Sequence, residues 1–200
     1  MAQHWNAVYR AKSANEMSWH RPHLDTSLEL ISSLCLPPDS PIIDVGAGAS
    51  TLGADLVELG YTDVTLLDIS GEALQTAQGN NKDLKCIEAD ITTISTLAPQ
   101  HYAVWHDRAV FHFLTDELAR SAYKQRLCAA LRPGGFAILA AFGVEGPERC
   151  SNLDVVRYSP ASLTEELGPR FSLQSSRVET HLTPWGSAQQ FCYCVFLHLG

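Results

Sequence analysis

Apolar positions along the chain follow two alternating rhythms. Short, nearly continuous apolar runs occur at Pro41–Val45, Val64–Asp68, Leu84–Glu88, Tyr102–Asp107 and Phe136–Phe142, and two more at Phe171–Glu179 and Gln190–Leu199. Their length and branched or aromatic content predict strands. Between them the spacing turns helical. Leu24–Leu34 puts Leu24, Leu28, Ile31 and Leu34 on one face, and Leu52–Leu59 stops at Gly60. Glu72–Gln78 follows the second run. The longest helix is expected over Asp116–Leu131, with Thr115 as its cap and Pro133-Gly134-Gly135 closing it. Ser159-Pro160 opens a helix over Ala161–Leu167. Strands alternating with helices predict a parallel sheet covered on both faces. The last two runs are joined only by a loop holding Thr183-Pro184-Trp185-Gly186, which predicts an antiparallel pair at the C-terminus. The expected fold class is therefore α/β, with a seven-stranded, mostly parallel sheet.

Composition narrows the setting. With 200 residues, 46% of them hydrophobic, the chain suits one domain with a sizeable core. We expect an aromatic arm over residues 1–23 and a core over residues 24–200. The formal charge of −8 and the lack of a Lys/Arg cluster disfavour nucleic acid as a partner. No apolar run approaches the length of a membrane span, and Met1–Arg10 is polar and aromatic, unlike a signal peptide. A cytoplasmic protein with no membrane partner is expected. Six cysteines lack the paired spacing of a zinc site, so no metal is expected and the thiols read as reduced and structural. Cys192 and Cys194, two apart in a strand, should share one sheet face.

The chemistry concentrates in Ile42-Ile43-Asp44-Val45-Gly46-Ala47-Gly48-Ala49-Ser50. Glycines where a strand enters a helix allow a tight turn and close approach to a ligand. A G-x-G alone is a weak signal, but two acids strengthen it. Asp68 ends the next strand, about twenty residues on, where a carboxylate can accept both hydroxyls of an adenosine ribose. Asp90 ends the third strand, within reach of the adenine amine. Three ligand-type positions at successive strand ends point to an adenosine-containing ligand.

These residues resemble the class I S-adenosylmethionine-dependent methyltransferases over nearly the whole chain. Asp44, Gly46 and Gly48 match the family's first motif, with Ser50 replacing its third glycine. Asp68, followed by Ile69, matches the ribose-binding acid, and Asp90 with Ile91 the adenine-binding pair. Leu131-Arg132-Pro133-Gly134-Gly135 matches the turn into the fifth strand. The resemblance implies a Rossmann-like domain with S-adenosyl-L-methionine as cofactor and S-adenosyl-L-homocysteine as product. More narrowly, Trp105-His106-Asp107-Arg108-Ala109-Val110-Phe111-His112-Phe113-Leu114 is similar to the fourth motif of thiopurine S-methyltransferase-like enzymes, and His4–Tyr9 with Ser18-Trp19-His20 looks like the arm of small bacterial methyltransferases. Lysine methyltransferases share a related Trp/Tyr pattern.

Methyl transfer from a sulfonium is an in-line displacement, in which positioning and water exclusion dominate and a base is needed only for a protonated nucleophile. Ligands of such sheets bind beyond the carboxyl ends of the strands. This directs attention to Trp105, His106, Asp107, Arg108, Phe111 and His112, with Asp107, Arg108 and His112 as catalytic candidates. Asp107 reads as a contact to the methionine amine or acceptor, or as a partner of Arg108 that orders the loop. His112 reads as a general base or as a core histidine. Arg108, by the thiopurine-type resemblance, would favour the anion of a soft nucleophile such as a thiol, or would brace the loop. The arm, with Trp5, Tyr9, Trp19, His20 and His23, reads as a lid or as edge packing, and Trp19 is the expected donor contact. Trp185 walls the acceptor pocket or anchors its turn. The expected partner is a small-molecule acceptor. A lysine methyltransferase and a catalytically silent S-adenosylmethionine-binding module are the alternatives. A nicotinamide dehydrogenase is disfavoured because Thr51 stands where its third glycine would be.

Overall fold

Isoleucines and valines on both sides of β1 (Ile42–Val45), β2 (Val64–Asp68) and β4 (Tyr102–Arg108) bury every residue of those strands, as expected of central parallel strands packed on both faces. The computed structural model describes residues 1–11, 16–95 and 97–200. β3 (Lys85–Glu88) is mostly exposed and forms one edge. β5 (Leu131–Phe142), β8 (Phe171–Leu182) and β9 (Ala188–His198) complete a seven-stranded sheet of order β3-β2-β1-β4-β5-β9-β8. β1 through β5 are parallel, and β9 inserts between β5 and β8, antiparallel to both. The expected C-terminal antiparallel pair is present, and so is the mostly parallel sheet.

Strand alternation divides the core. Ile43, Val45, Trp105 and Leu139 face α5 (Glu117–Ala130) and α6 (Pro160–Leu167) through Tyr123, Leu127, Leu163 and Leu167. Ile42, Leu66, Val104 and Ile138 face the other way, onto α2 (Asp25–Ser33), α3 (Leu52–Glu58) and α4 (Gly71–Gln78) through Ile31, Leu52, Leu56 and Leu74.

Local signals were mostly obeyed. Ser159 caps α6 in a capping box with Ser162, with Pro160 at the first turn. Thr115 does not cap α5. Asp116 does, accepting the Ala119 N–H at 2.9 Å, because its carboxylate sits one position closer to the free N–H groups. Nor does Pro133-Gly134-Gly135 close that helix. It ends at Ala130, and Leu131 already pairs with Tyr102, so the Pro-Gly-Gly segment lies in a register shift inside β5. Two elements were not foreseen. The arm begins as α1 (Ala2–Ala11), and a small hairpin forms from β6 (Arg149–Cys150) and β7 (Leu153–Asp154). Among the described residues, no helix is long and apolar enough to cross a membrane.

Candidate active site

The strand order reverses at β1, whose neighbours β2 and β4 leave in opposite directions, and a crevice opens at the carboxyl ends of such strands. Here it is a cavity of about 390 Å³. The loops after β1, β2, β3 and β4 form its floor, and α1 and the segment around Trp19 roof it.

The glycine loop shapes one end. Gly46 and Gly48 have φ of +70° and +56°, a region side chains rarely occupy. A Cβ on Gly46 would collide with Val110 Cγ2, so that position needs glycine for conformation and for space, whereas one on Gly48 would meet the tip of the Tyr9 side chain at 2.6 Å and there conformation decides. The Gly48 N–H donates to Asp68 Oδ2 and the Ser70 N–H to Asp68 Oδ1, each at 2.8 Å. The Asp68 carboxylate is thus fixed at the mouth of the loop. Burial, only partly offset by these two bonds, pushes its pKa up to about 6.

The other predicted donor-side residues gather in the same cavity. Trp19, Asp44, Ile69, Asp90 and Ile91 all line it. Asp90 accepts the Thr92 N–H at 2.8 Å and the Thr92 hydroxyl at 2.6 Å, so its second oxygen is the one left for a ligand. Asp44 is held from below. His106 Nδ1 lies 2.7 Å from its Oδ1, and His106 Nε2 lies 2.9 Å from the Ser27 hydroxyl on α2. All three groups are buried.

The fourth strand splits the predicted acceptor-side set. His106 and Arg108 line the cavity, whereas Trp105, Asp107, Phe111 and His112 do not. Asp107 faces α5. It accepts the Val110 and Phe111 N–H groups at 2.9 and 3.1 Å and the Tyr123 hydroxyl at 2.5 Å, and that hydroxyl takes a bond from Trp105 Nε1 at 2.8 Å. It orders the loop after β4 as a buried anchor, and it does so through backbone and tyrosine rather than through Arg108. Burial raises its pKa to about 6, against the hydrogen bond from Tyr123. His112 is a core histidine. Its Nδ1 accepts the Phe142 N–H at 3.2 Å, its ring packs against Phe113 and Phe142, and burial lowers its pKa to about 3. It stays neutral and sealed from the cavity, so the general-base expectation is not met by the geometry. Trp185 is 60% exposed at the tip of the β8–β9 hairpin and does not wall the pocket. His23 pairs with Asp55 outside it.

The roof is aromatic. Trp5 packs edge-on against Trp19 and Phe113 at centroid distances of 5.9 and 5.2 Å, and Tyr9 lies against Trp19 at 6.5 Å. Burial, with Asp68 nearby, drives the Tyr9 hydroxyl well above its ordinary pKa. α1 is moored to α4 by the Arg10–Glu72 ion pair and by Ser70 Oγ donating to Asn6 Oδ1 at 2.6 Å. Phe113, Val110 and Cys150 also line the cavity and were not among the sequence candidates. The three-residue spacing of Val110 and Phe113 on a short helical turn could have favoured Phe113 over Phe111, but nothing in the sequence marks the Cys150 hairpin. Cys192 and Cys194 do share a sheet face, as free thiols with sulfurs 3.7 Å apart.

Residues 42–135 match the family described as a methyltransferase domain, and the chain has the fold of class I S-adenosylmethionine-dependent methyltransferases. It is similar to a ribosomal protein L11 methyltransferase of Citrifermentans bemidjiense, at 29% identity over 129 residues, covering 62% of this chain and 41% of that protein. The chain thus spans less than half the length of that curated relative. A structure from work on the conversion of a disulfide bond into a thioacetal group during echinomycin biosynthesis aligns with a TM-score of 0.79, at 17% identity, over 99% of this chain and 92% of that one. The Burkholderia thailandensis 1,6-didemethyltoxoflavin-N1-methyltransferase, solved with its substrate and S-adenosylhomocysteine, aligns with a TM-score of 0.71, at 19% identity, over 96% of this chain and 81% of that one.

Proposed function

We propose that the protein transfers a methyl group from S-adenosylmethionine to a small-molecule acceptor carrying a soft nucleophile, a thiol being the first candidate. One observation carries the donor half of this reading. Asp44 next to the end of β1, Asp68 at the end of β2 and Asp90 two residues beyond β3 line a single cavity whose glycine loop already hydrogen-bonds Asp68. These residues fit the donor chemically. The Asp68 carboxylate suits the ribose hydroxyls, Asp90 the adenine amine, Ile69 and Ile91 the faces of the base, and Asp44 the methionine ammonium. When bound, the donor supplies an electrophilic methyl group on a sulfonium. The chain's part is to bind, to align and to exclude water. Trp19 and Tyr9 offer aromatic faces to a cation. The arm over residues 1–23 acts as a lid in this reading, its described part being α1 and residues 16–23.

Enclosure by α1 and the loop after β4 favours a compact acceptor over a protein. The named relative acts on a ribosomal protein, and a protein acceptor is kept as the alternative for that reason. Calorimetry with S-adenosylmethionine, S-adenosylhomocysteine and a nicotinamide dinucleotide tests the donor. A panel of small thiols, selenols, halides and carboxylic acids, run beside a lysate with labelled donor, tests the acceptor. We expect binding of the first two ligands only and label transferred to a small molecule. Label in one protein band, with no small acceptor turned over, would overturn the small-molecule reading. Tight donor binding with no turnover in either assay would favour the silent module.

A further inference from the structure

Arg108 ends β4 with only 8% of its surface exposed, and it lines the cavity. Its Nε donates to the Tyr193 hydroxyl at 2.9 Å, its Nη1 donates to the Trp19 carbonyl at 3.2 Å, and its Cζ lies 4.4 Å from the centroid of the Phe191 ring. Its Nη2 is buried and has no partner. Among the described residues no carboxylate forms an ion pair with it. Its charge acts on Cys150, His112 and His181. Burial holds the first as a thiol, with a pKa of about 11, and pushes both histidines toward the neutral form, so none is a counterion. A guanidinium keeps its proton in a protein, and a buried cation without an anion is costly. Arg21, the other arginine lining the cavity, is already paired with Glu179 and Asp25.

Three of the cavity's acids, Asp44, Asp68 and Asp90, stand at or just beyond the ends of β1, β2 and β3, a fourth, Asp116, caps α5 by accepting the Ala119 N–H, and the unpaired cation stands at the end of β4. We infer that Arg108 holds a carboxylate of the methyl acceptor, an assignment that rests on the methyltransferase reading above. Tyr193 and Trp19 fix the plane of the guanidinium and leave Nη2 to donate. A planar carboxylate with two acceptor oxygens matches that remaining edge, whereas a thiolate offers a single, softer acceptor. Trp5, Trp19 and Phe113 would flank a flat, apolar body attached to the carboxylate. The acceptor class is a small aromatic or apolar carboxylate, whose nucleophilic atom is a separate group.

The test is calorimetry on the full chain saturated with S-adenosylhomocysteine, titrated with benzoate, benzamide and thiophenolate at pH 8. We expect benzoate to bind at least about tenfold tighter than the uncharged benzamide, and tighter than thiophenolate. Arg108→Met should bring benzoate and benzamide within about twofold of each other while S-adenosylhomocysteine affinity stays within about twofold of the unaltered protein. Arg108→Lys, which keeps the charge and loses the fork, should fall between. The benzoate and benzamide comparison in the unaltered protein stands whether or not the methionine variant folds. Equal binding of the two, preference for thiophenolate, or no benzoate binding overturns the assignment. A large loss of S-adenosylhomocysteine affinity in a folded Arg108→Met protein also overturns it, by giving the arginine to the donor's own carboxylate. Failure of the unaltered protein to bind S-adenosylhomocysteine is a different result, because it overturns the methyltransferase reading and this assignment with it.

Discussion

His106 stands 2.7 Å from the Asp44 carboxylate, directly across the β1–β4 pairing that joins the same two residues in register. The imidazole is clamped from its other side by Ser27, so the carboxylate at the first motif is held by a side chain from the fourth strand and, through it, by α2. Removing the ring leaves a buried carboxylate oxygen without its partner, which costs about 1–3 kcal/mol beyond the lost packing. His106→Ala should therefore unfold at clearly lower denaturant concentration and bind S-adenosylhomocysteine more weakly. An unchanged midpoint would mean that the bond carries no weight.

Donor affinity should depend on pH through Asp68. Its pKa lies near 6 in the free protein, above the ordinary value of 3.8, and the ribose hydroxyls need the ionised form as acceptor. Binding should be pH-independent well above 6 and weaken as pH falls through that value, approaching tenfold per unit below it. Asp68→Asn should be weak throughout and lack this dependence. A flat profile in the unaltered protein down to about pH 5 would count against Asp68 as the ribose ligand.

Asp107 predicts a stability effect instead. Its folded pKa of about 6 also lies above the unfolded value, so its ionisation works against the fold. The penalty is absent below the unfolded pKa, develops between roughly pH 4 and 6, and is complete above. Tyr123→Phe deletes the hydroxyl that donates to the carboxylate and should enlarge that penalty. We expect the variant to lose about 1–3 kcal/mol at pH 8 and less at pH 4.5, measured by urea unfolding. A loss equal at both pH values would assign it to packing alone.

Hydrogen exchange reads the roof. Ala2–Ala11 buries none of its own residues fully, and its moorings to α4 are few. Its amides should exchange fast in the free protein and slow on addition of S-adenosylhomocysteine. Equal exchange in both states would describe a fixed arm.

The sheet was legible because its signals are local and repeated, with fully buried central strands and helices of helical period. The donor residues were legible because each lies at the end of a strand the sequence had already located. On β4 the reading reached the right loop and missed the face. Positions two apart share a side, so His106 and Arg108 turn toward the cavity while Trp105 and Asp107 turn toward Tyr123. His112 was ambiguous for a different reason. Whether a histidine faces a cavity or a backbone N–H such as that of Phe142 is decided by tertiary packing, which the sequence around it does not encode. The same holds for Cys150, brought to the cavity by a two-stranded hairpin too short to leave a periodic signal.

α1 closes the top of the cavity from outside the sheet, resting on the aromatic rings of Trp19 and Phe113 and tied to α4 through Arg10 and Asn6. If α1 is the lid of a methyltransferase, as proposed, exchange of spent donor for fresh waits until the helix lifts, and the dwell time of the closed form sets a ceiling on turnover. The Arg10–Glu72 tether is solvent-exposed, so in that reading added salt loosens it and makes ionic strength a throttle on the exchange step, while the buried carboxylates beneath stay largely unscreened.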